Sequence, residues 1–229
     1  MRMERIIGSR ACALYGDGQA ADVLIQAVDE RDLDELDQEI GRIGELASNH
    51  PFLLVALGIP DWNKALSPWE APAVFGKENF GAGAKDTLAC ITEALLPEIE
   101  KRYPAEGGKR YYLGGYSLAG LFALWAAYQT GLFQGIAAVS PSVWFPQWIG
   151  YIQEHELQSP LVYLSLGDRE EKTRSKVMAE VGNNIRRQHE RLCQEKMVKM
   201  CTLEWNPGNH FADSELRMAK GFAWLLNQN

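Results

Sequence analysis

Several short runs of this 229-residue sequence are apolar on both faces, and they limit the fold more than any other feature. Residues 52–57 read FLLVAL, and residues 161–166 read LVYLSL. A strand with one face in water would alternate apolar and polar residues, so these strands must be covered on both faces. Such strands are typical of a parallel sheet enclosed between two layers of helices.

Helical segments separate these strands along the chain. The pattern predicts strands at 23–28, 52–57, 111–113, 136–139, 161–166 and 198–205. It predicts helices at 29–49, 86–102, 118–130, 176–196 and 215–227, with a kink or break at Pro97. Residues 58–83 are expected to form a long loop rich in Pro, Gly and Trp. This alternation predicts one α/β domain over residues 1–229, with a mostly parallel central sheet and helices on both faces.

Charge and composition exclude several classes of partner. The chain has 30 acidic and 23 basic residues and a net charge of −7, which disfavours nucleic acid and anionic membrane surfaces. No apolar stretch reaches the roughly 20 residues of a membrane span, and no signal peptide is evident, so we expect a cytoplasmic protein. The four cysteines lack metal-ligand spacing, so free thiols and no metal or cofactor are expected. A small molecule is the expected partner, and a homo-oligomer is left open.

One serine lies where a predicted strand turns sharply into a predicted helix. The segment Gly115-Tyr-Ser-Leu-Ala119 matches G-x-S-x-G except that alanine replaces the last glycine. In such a tight turn the residues two before and two after the serine must be small, and alanine is the smallest replacement. The turn would expose the Ser117 hydroxyl at the sheet edge and aim the Leu118 amide at a developing oxyanion. Ser117 is therefore the predicted nucleophile.

A serine nucleophile needs a base, and the sequence contains four histidines. His50 lies upstream of the serine, His155 lies in a polar run, and His189 lies on the charged face of a predicted helix. His210 instead occupies a turn-rich loop, NPGNHF, directly after the last predicted strand. Because a loop at the carboxyl end of a strand can overhang the serine, His210 is the predicted base.

Three carboxylates follow the predicted strand at 161–166, and each could orient the histidine. Glu170 has the reach to arc back toward a loop histidine, whereas we expect Asp168 to lie too close to the strand end and Glu171 to point away. We favour Glu170 and keep Asp168, Glu171 or the absence of an acid as alternatives. An acid here falls between Ser117 and His210, the chain order of the α/β-hydrolases.

Four segments together resemble the Putative esterase family of the α/β-hydrolases. They read GGYSLAG at 114–120, SPSVWF at 140–145, GDREEKT at 167–173 and NPGNHF at 206–211. The family includes feruloyl esterases, S-formylglutathione hydrolases and enterochelin-type siderophore esterases. The resemblance implies that Ser117 is the nucleophile, His210 the base and Glu170 the acid.

The loop after residues 52–57 should supply the second oxyanion donor. Pro60 has no N–H and is excluded. We therefore predict the amide of Ile59, with Asp61 as the alternative.

Aromatic side chains of the same loop and of the 140–145 segment are expected to line an apolar or aromatic substrate pocket. They are Trp62, Trp69 and Trp144, with Asn63 and Phe75 nearby in sequence.

Taken together, these residues favour a serine hydrolase that cleaves a small carboxylic ester through an acyl-enzyme. Thioester hydrolysis or acyl transfer would use the same groups. A catalytically silent α/β-hydrolase scaffold that serves as a binding protein is the alternative, because a fold does not fix a function.

Overall fold

The computed structural model describes residues 3–74 and 76–228. Eight strands within these ranges form one sheet. The strands are β1 (Met3–Ile7), β2 (Arg10–Gly16), β3 (Asp22–Val28), β4 (Phe52–Gly58), β5 (Arg110–Tyr116), β6 (Phe133–Val139), β7 (Leu161–Gly167) and β8 (Met200–Asn206). Their order in the sheet is β1-β2-β4-β3-β5-β6-β7-β8. β2 is antiparallel to both of its neighbours, whereas β4, β3 and β5 to β8 pair in parallel. The predicted mostly parallel sheet is confirmed.

Helices cover both faces of this sheet. In the described part of the chain they are α1 (Glu30–Leu46), α2 (Trp62–Ala65), α3 (Ala84–Ala89), α4 (Leu96–Arg102), α5 (Leu118–Gln129), α6 (Trp148–Glu154), α7 (Lys176–Ala179), α8 (Val181–Leu192) and α9 (Ser214–Leu226). One core, which includes Tyr112 and Phe222, lies between the sheet and the pair α1 and α9. The other core contains almost all of α5. No helix in the described ranges has the length and apolar character needed to cross a bilayer.

The antiparallel hairpin of β1 and β2 was not predicted from the sequence. Gly8 and Ser9 join the two strands with φ values of +54° and +68°. Positive φ at both central residues is typical of the tight turn that matches the twist of a hairpin. β1 is largely exposed and carries no apolar run, so periodicity gives no sign of it.

Two predicted helices are interrupted. A π-helix at Cys90–Leu95 lies between α3 and α4, and Pro97 lies in the first turn of α4. Proline has no N–H and its ring clashes with the carbonyl four residues earlier, so the wider turns before Pro97 accommodate it. The break therefore lies just ahead of Pro97 rather than at it. The predicted helix at 176–196 is divided into α7 and α8 at Glu180.

A buried carboxyl group joins α1 to β3. Glu39 is 3% exposed and accepts a hydrogen bond from the Gln26 side-chain amide at 3.2 Å. Burial raises the pKa of Glu39 to about 8, against the lowering effect of that hydrogen bond, and the nearby Asp32 charge adds to the rise. Oε1 of both Glu39 and Gln26 has no hydrogen-bond partner. A protonated Glu39 carboxyl suits this site, because its O–H is a donor and the unpartnered Gln26 Oε1 is an acceptor.

We expect the stability of the protein to fall as the pH rises from about 4.5 to about 8. In that window the folded state keeps a proton on Glu39 that the unfolded state releases. Glu39→Gln is neutral at every pH and should flatten this slope. Urea unfolding at pH 5 and pH 8.5 measures the effect, with Glu45→Gln at an exposed position of α1 as the control. Equal pH slopes in the wild type and Glu39→Gln would contradict the assignment.

Candidate active site

Ser117 lies between β5 and α5 in an unusual backbone conformation, with φ of +58° and ψ of −119°. Residues other than glycine rarely adopt a positive φ, and such backbone strain is common at functional sites. The turn also brings Gly115 against Ala119. A Cβ added at Gly115 would lie 2.5 Å from the Ala119 carbonyl carbon and 2.6 Å from its Cβ. This crowding explains why small residues flank Ser117 on both sides.

Three predicted site residues lie in hydrogen-bond contact. The Ser117 Oγ is 3.0 Å from His210 Nε2, and His210 Nδ1 is 2.6 Å from Glu170 Oε2. They come from the segments after β5, β7 and β8, because parallel strands deliver their carboxyl ends to the same sheet edge. With Glu170 ionised, Nδ1 is the protonated ring nitrogen and Nε2 is free to accept the Ser117 proton.

Glu170 is held as an anion by its surroundings. Its Oε1 accepts hydrogen bonds of 2.7 Å from the Ser140 hydroxyl and 2.7 Å from the Gly167 amide. Burial alone would raise the pKa of Glu170, but the contacts with His210, Ser140 and Gly167 hold it below its ordinary value. The carboxylate is therefore charged at neutral pH.

A buried arginine, which the sequence analysis missed, lies behind this carboxylate. Arg217 of α9 is 1% exposed, and its Nη1 lies 3.2 Å from both Glu170 Oε1 and the Tyr116 hydroxyl. Its Nη2 donates to the Pro207 carbonyl at 2.9 Å, and the Tyr116 hydroxyl donates to the His210 carbonyl at 2.8 Å. Arg217 thus contacts the acid and the histidine loop directly, and it reaches the His210 carbonyl through Tyr116. The available signal was a cation within the largely apolar α9 sequence, which also contains Lys220.

The two alternative acids have other partners. Asp168 Oδ1 accepts the Gly208 amide at 2.9 Å. Glu171 forms a two-point ion pair with Arg186, with distances of 2.9 and 3.3 Å. Of the three carboxylates, Glu170 is the one in contact with His210.

The remaining histidines lie in other contacts. His50 Nε2 is 2.6 Å from Asp22, which also binds Arg110. His155 is exposed and stacks on Tyr151 with ring centroids 4.0 Å apart. His189 is on α8, with its Nε2 3.7 Å from the Cys193 thiol. Among residues 3–74 and 76–228, no three His, Cys, Asp or Glu side chains gather as a metal site would require.

The structure separates the two predicted oxyanion donors. Leu118 is the first residue of α5, where an amide has no partner within the helix. The Ile59 amide instead donates to the Val28 carbonyl at 2.9 Å, because pairing between β3 and β4 continues one residue past β4. The prediction for Ile59 is therefore wrong. Asp61, the N-cap residue of α2, is the alternative that remains.

Two cavities meet at Ser117, His210 and Phe211. The larger has a volume of about 540 Å³, and its apolar wall includes Trp144, Met178 and Val181. The smaller has a volume of about 150 Å³ and is lined by Trp62 together with polar and charged groups.

Trp69 lines neither of these cavities. It packs among Phe145, Trp148 and Tyr151, and its indole N–H donates to the Pro146 carbonyl at 3.0 Å. Asn63 also lines neither cavity, and its backbone carbonyl accepts a hydrogen bond from the Ser67 hydroxyl at 2.6 Å. Phe75 lies outside the described residues.

Comparison with known proteins identifies the family of this chain. The profile of the family described as Putative esterase matches residues 39–212. The chain belongs to this family. It is therefore a carboxylic-ester hydrolase of the α/β-hydrolase kind, as the resemblance implied. A search of curated proteins found no match to this esterase.

Solved structures share the fold of this esterase. The siderophore hydrolase EstA from Aspergillus nidulans is 18% identical with a TM-score of 0.78, over 96% of this chain and 90% of that chain. An IroE-like serine hydrolase from Shewanella oneidensis is 16% identical with a TM-score of 0.82, over 99% of this chain and 80% of that chain. The enterobactin esterase from Shigella flexneri is 15% identical with a TM-score of 0.70, over 100% of this chain and 59% of that chain.

Proposed function

We propose that this esterase cleaves a small carboxylic ester through an acyl-enzyme on Ser117. The observation that carries the proposal is the continuous contact from Ser117 Oγ through the His210 ring to Glu170. His210 Nε2 takes the Ser117 proton as Oγ attacks the acyl carbon, and then gives that proton to the leaving alcohol. Water, activated by the same nitrogen, releases the acid and regenerates the serine.

Glu170 keeps the His210 ring in the tautomer that this chemistry requires. It accepts a hydrogen bond from the Nδ1–H group and stabilises the imidazolium that forms when Nε2 becomes protonated. Arg217 acts through Glu170 as a positioning residue, because it contacts Oε1 while Oε2 is left for His210. Tyr116 supports the same arrangement through the His210 carbonyl.

The oxyanion that forms during attack would be bound by backbone amides. Leu118 supplies one from the start of α5, where the helix dipole also favours negative charge. Asp61 is our candidate for the second amide, since the Ile59 amide is already engaged.

A thioester, or an alcohol acceptor in place of water, would use the same groups. The geometry argues against a silent scaffold, because the three side chains of the proposed triad lie within hydrogen-bond distance and in the required order.

Labelling with a fluorophosphonate tests the proposal. We expect the folded protein to take up one phosphonyl group on Ser117, located by peptide mass spectrometry, and to hydrolyse a short-chain aryl ester. Heat-unfolded protein is the control, since labelling depends on the His210 contact. A folded protein that is neither labelled nor active would favour the silent scaffold.

A further inference from the structure

Two basic residues line the larger cavity beside Ser117. Arg169 and Lys172 flank Glu170 on the segment that follows β7, and both contribute to the cavity of about 540 Å³. Their backbone is fixed. The Arg169 amide donates to the Gly208 carbonyl at 3.1 Å, and the Lys172 amide donates to the Arg169 carbonyl at 3.1 Å.

The charges of these two residues are not neutralised by the carboxylates nearby. On the same segment, Glu170 is in contact with His210 and Arg217, and Glu171 is paired with Arg186. Asp168 accepts the Gly208 amide. Within residues 3–74 and 76–228, the side chains of Arg169 and Lys172 have no hydrogen-bond or ion-pair partner. The unpaired charge at this cavity is therefore positive, in a chain whose net charge is −7.

The remaining surface of the larger cavity is mostly apolar. Trp144, Met178 and Val181 form its wall, and Phe211 is 70% exposed at the point where the two cavities meet. Such a cavity accommodates an apolar or aromatic group, whose far end can then meet the two cations.

The smaller cavity has a different charge pattern. Asp29 and Asp32 line it together with Arg31, so its carboxylates outnumber its cations. An anion would meet like charge there and opposite charge in the larger cavity, which favours one orientation of a charged ester.

We propose that the half of the ester that occupies the larger cavity is an apolar or aromatic group bearing an anion such as a carboxylate, bound by Arg169 and Lys172. This inference rests on the proposed function, since it assigns a substrate class to the Ser117 site. Because both cations are exposed, their effect is moderate and is screened by salt.

Two matched pairs of esters test the inference. In the first pair the acyl groups differ: the mono-4-nitrophenyl ester of terephthalic acid is anionic, and the 4-nitrophenyl ester of terephthalamic acid is neutral. In the second pair the leaving groups differ: the butyrate ester of 4-hydroxybenzoate is anionic, and the butyrate ester of 4-hydroxybenzamide is neutral. Each pair differs in a carboxylate against a carboxamide of similar size. The measured quantity is the ratio of kcat/KM for the anionic ester to that for its neutral counterpart.

We expect Arg169→Gln/Lys172→Gln to lower this ratio by about fivefold to tenfold in at least one pair, relative to the wild type. Salt at 0.5 M should lower the wild-type ratio in the same direction. Arg174→Gln is the matched control, because it removes a cation of the same segment that does not line the cavity. The two single variants repeat the test if the double variant folds poorly.

The outcomes separate the two proposals. Suppose that the wild type hydrolyses the neutral esters and that the double variant has the same ratio as the wild type in both pairs. This result overturns the anion site and leaves the proposed function intact. A folded wild type that hydrolyses none of the four esters and takes no fluorophosphonate overturns both.

Discussion

Ser117→Ala is expected to lower kcat/KM for a short-chain aryl ester by about 10⁴-fold or more, as the loss of a serine nucleophile does in other triads. The variant removes the oxygen that attacks the ester, while the Cβ and the strained turn are retained. Because the hydroxyl contacts His210 and Ser142 rather than the backbone, the melting temperature should change little. Single-turnover acylation and thermal unfolding, measured side by side, separate the two effects.

Ser142→Ala provides the matched control. It deletes a hydroxyl 3.3 Å from the Ser117 Oγ without removing the proposed nucleophile. We expect a far smaller loss of activity in this variant than in Ser117→Ala. Hydrolysis at the wild-type rate in Ser117→Ala would refute the acyl-enzyme mechanism.

Glu170→Gln is expected to slow acylation by about 10⁴-fold, the size reported for replacing the orienting carboxylate of a protease triad by its amide. An amide can donate to Nδ1 and so stabilise the wrong tautomer of His210, and it cannot balance an imidazolium charge. It also leaves Arg217 buried without an anion, which should lower stability. The rate is therefore measured well below the melting temperature of the variant.

Two further variants separate catalysis from folding. Glu170→Gln/Arg217→Met removes both buried charges, so we expect it to recover stability without recovering the rate. Asp168→Asn should cost less than tenfold, since Asp168 contacts the Gly208 amide rather than His210. If Glu170→Gln slows acylation by less than about tenfold, roughly 1.4 kcal/mol, the enzyme works with Ser117 and His210 alone.

The sequence predicted the parts of the fold that depend on burial. Strands such as β4 and β7 lie between two helical layers, so their composition alone identifies them. The β1–β2 hairpin could not be found in this way, because it lies at the sheet edge and β1 has little buried surface. Its signal was the Gly8-Ser9 turn, which is weak without the strands around it.

In the candidate site, too, the sequence predicted the residues that local motifs mark better than those that depend on tertiary contacts. Ser117 and His210 are marked by local motifs, whereas the choice of Glu170 over its neighbours depends on which side chain the short 3₁₀ turn at Glu170–Lys172 buries. Ile59 failed because the partner of an amide depends on strand register, which no local motif encodes. Arg217 lies 47 positions from Glu170, so their contact exists only in the folded chain.

The arrangement of Arg169, Glu170 and Lys172 around one short turn affects how this enzyme could evolve. A 3₁₀ turn advances about 120° per residue, so inserting or deleting one residue there would redirect all three side chains together. A change in loop length would thus disturb reactivity and selectivity at once. Point substitutions at 169 and 172 leave the backbone position of 170 intact. New preferences should therefore arise in descendants of this chain by exchange of these flanking residues at constant loop length.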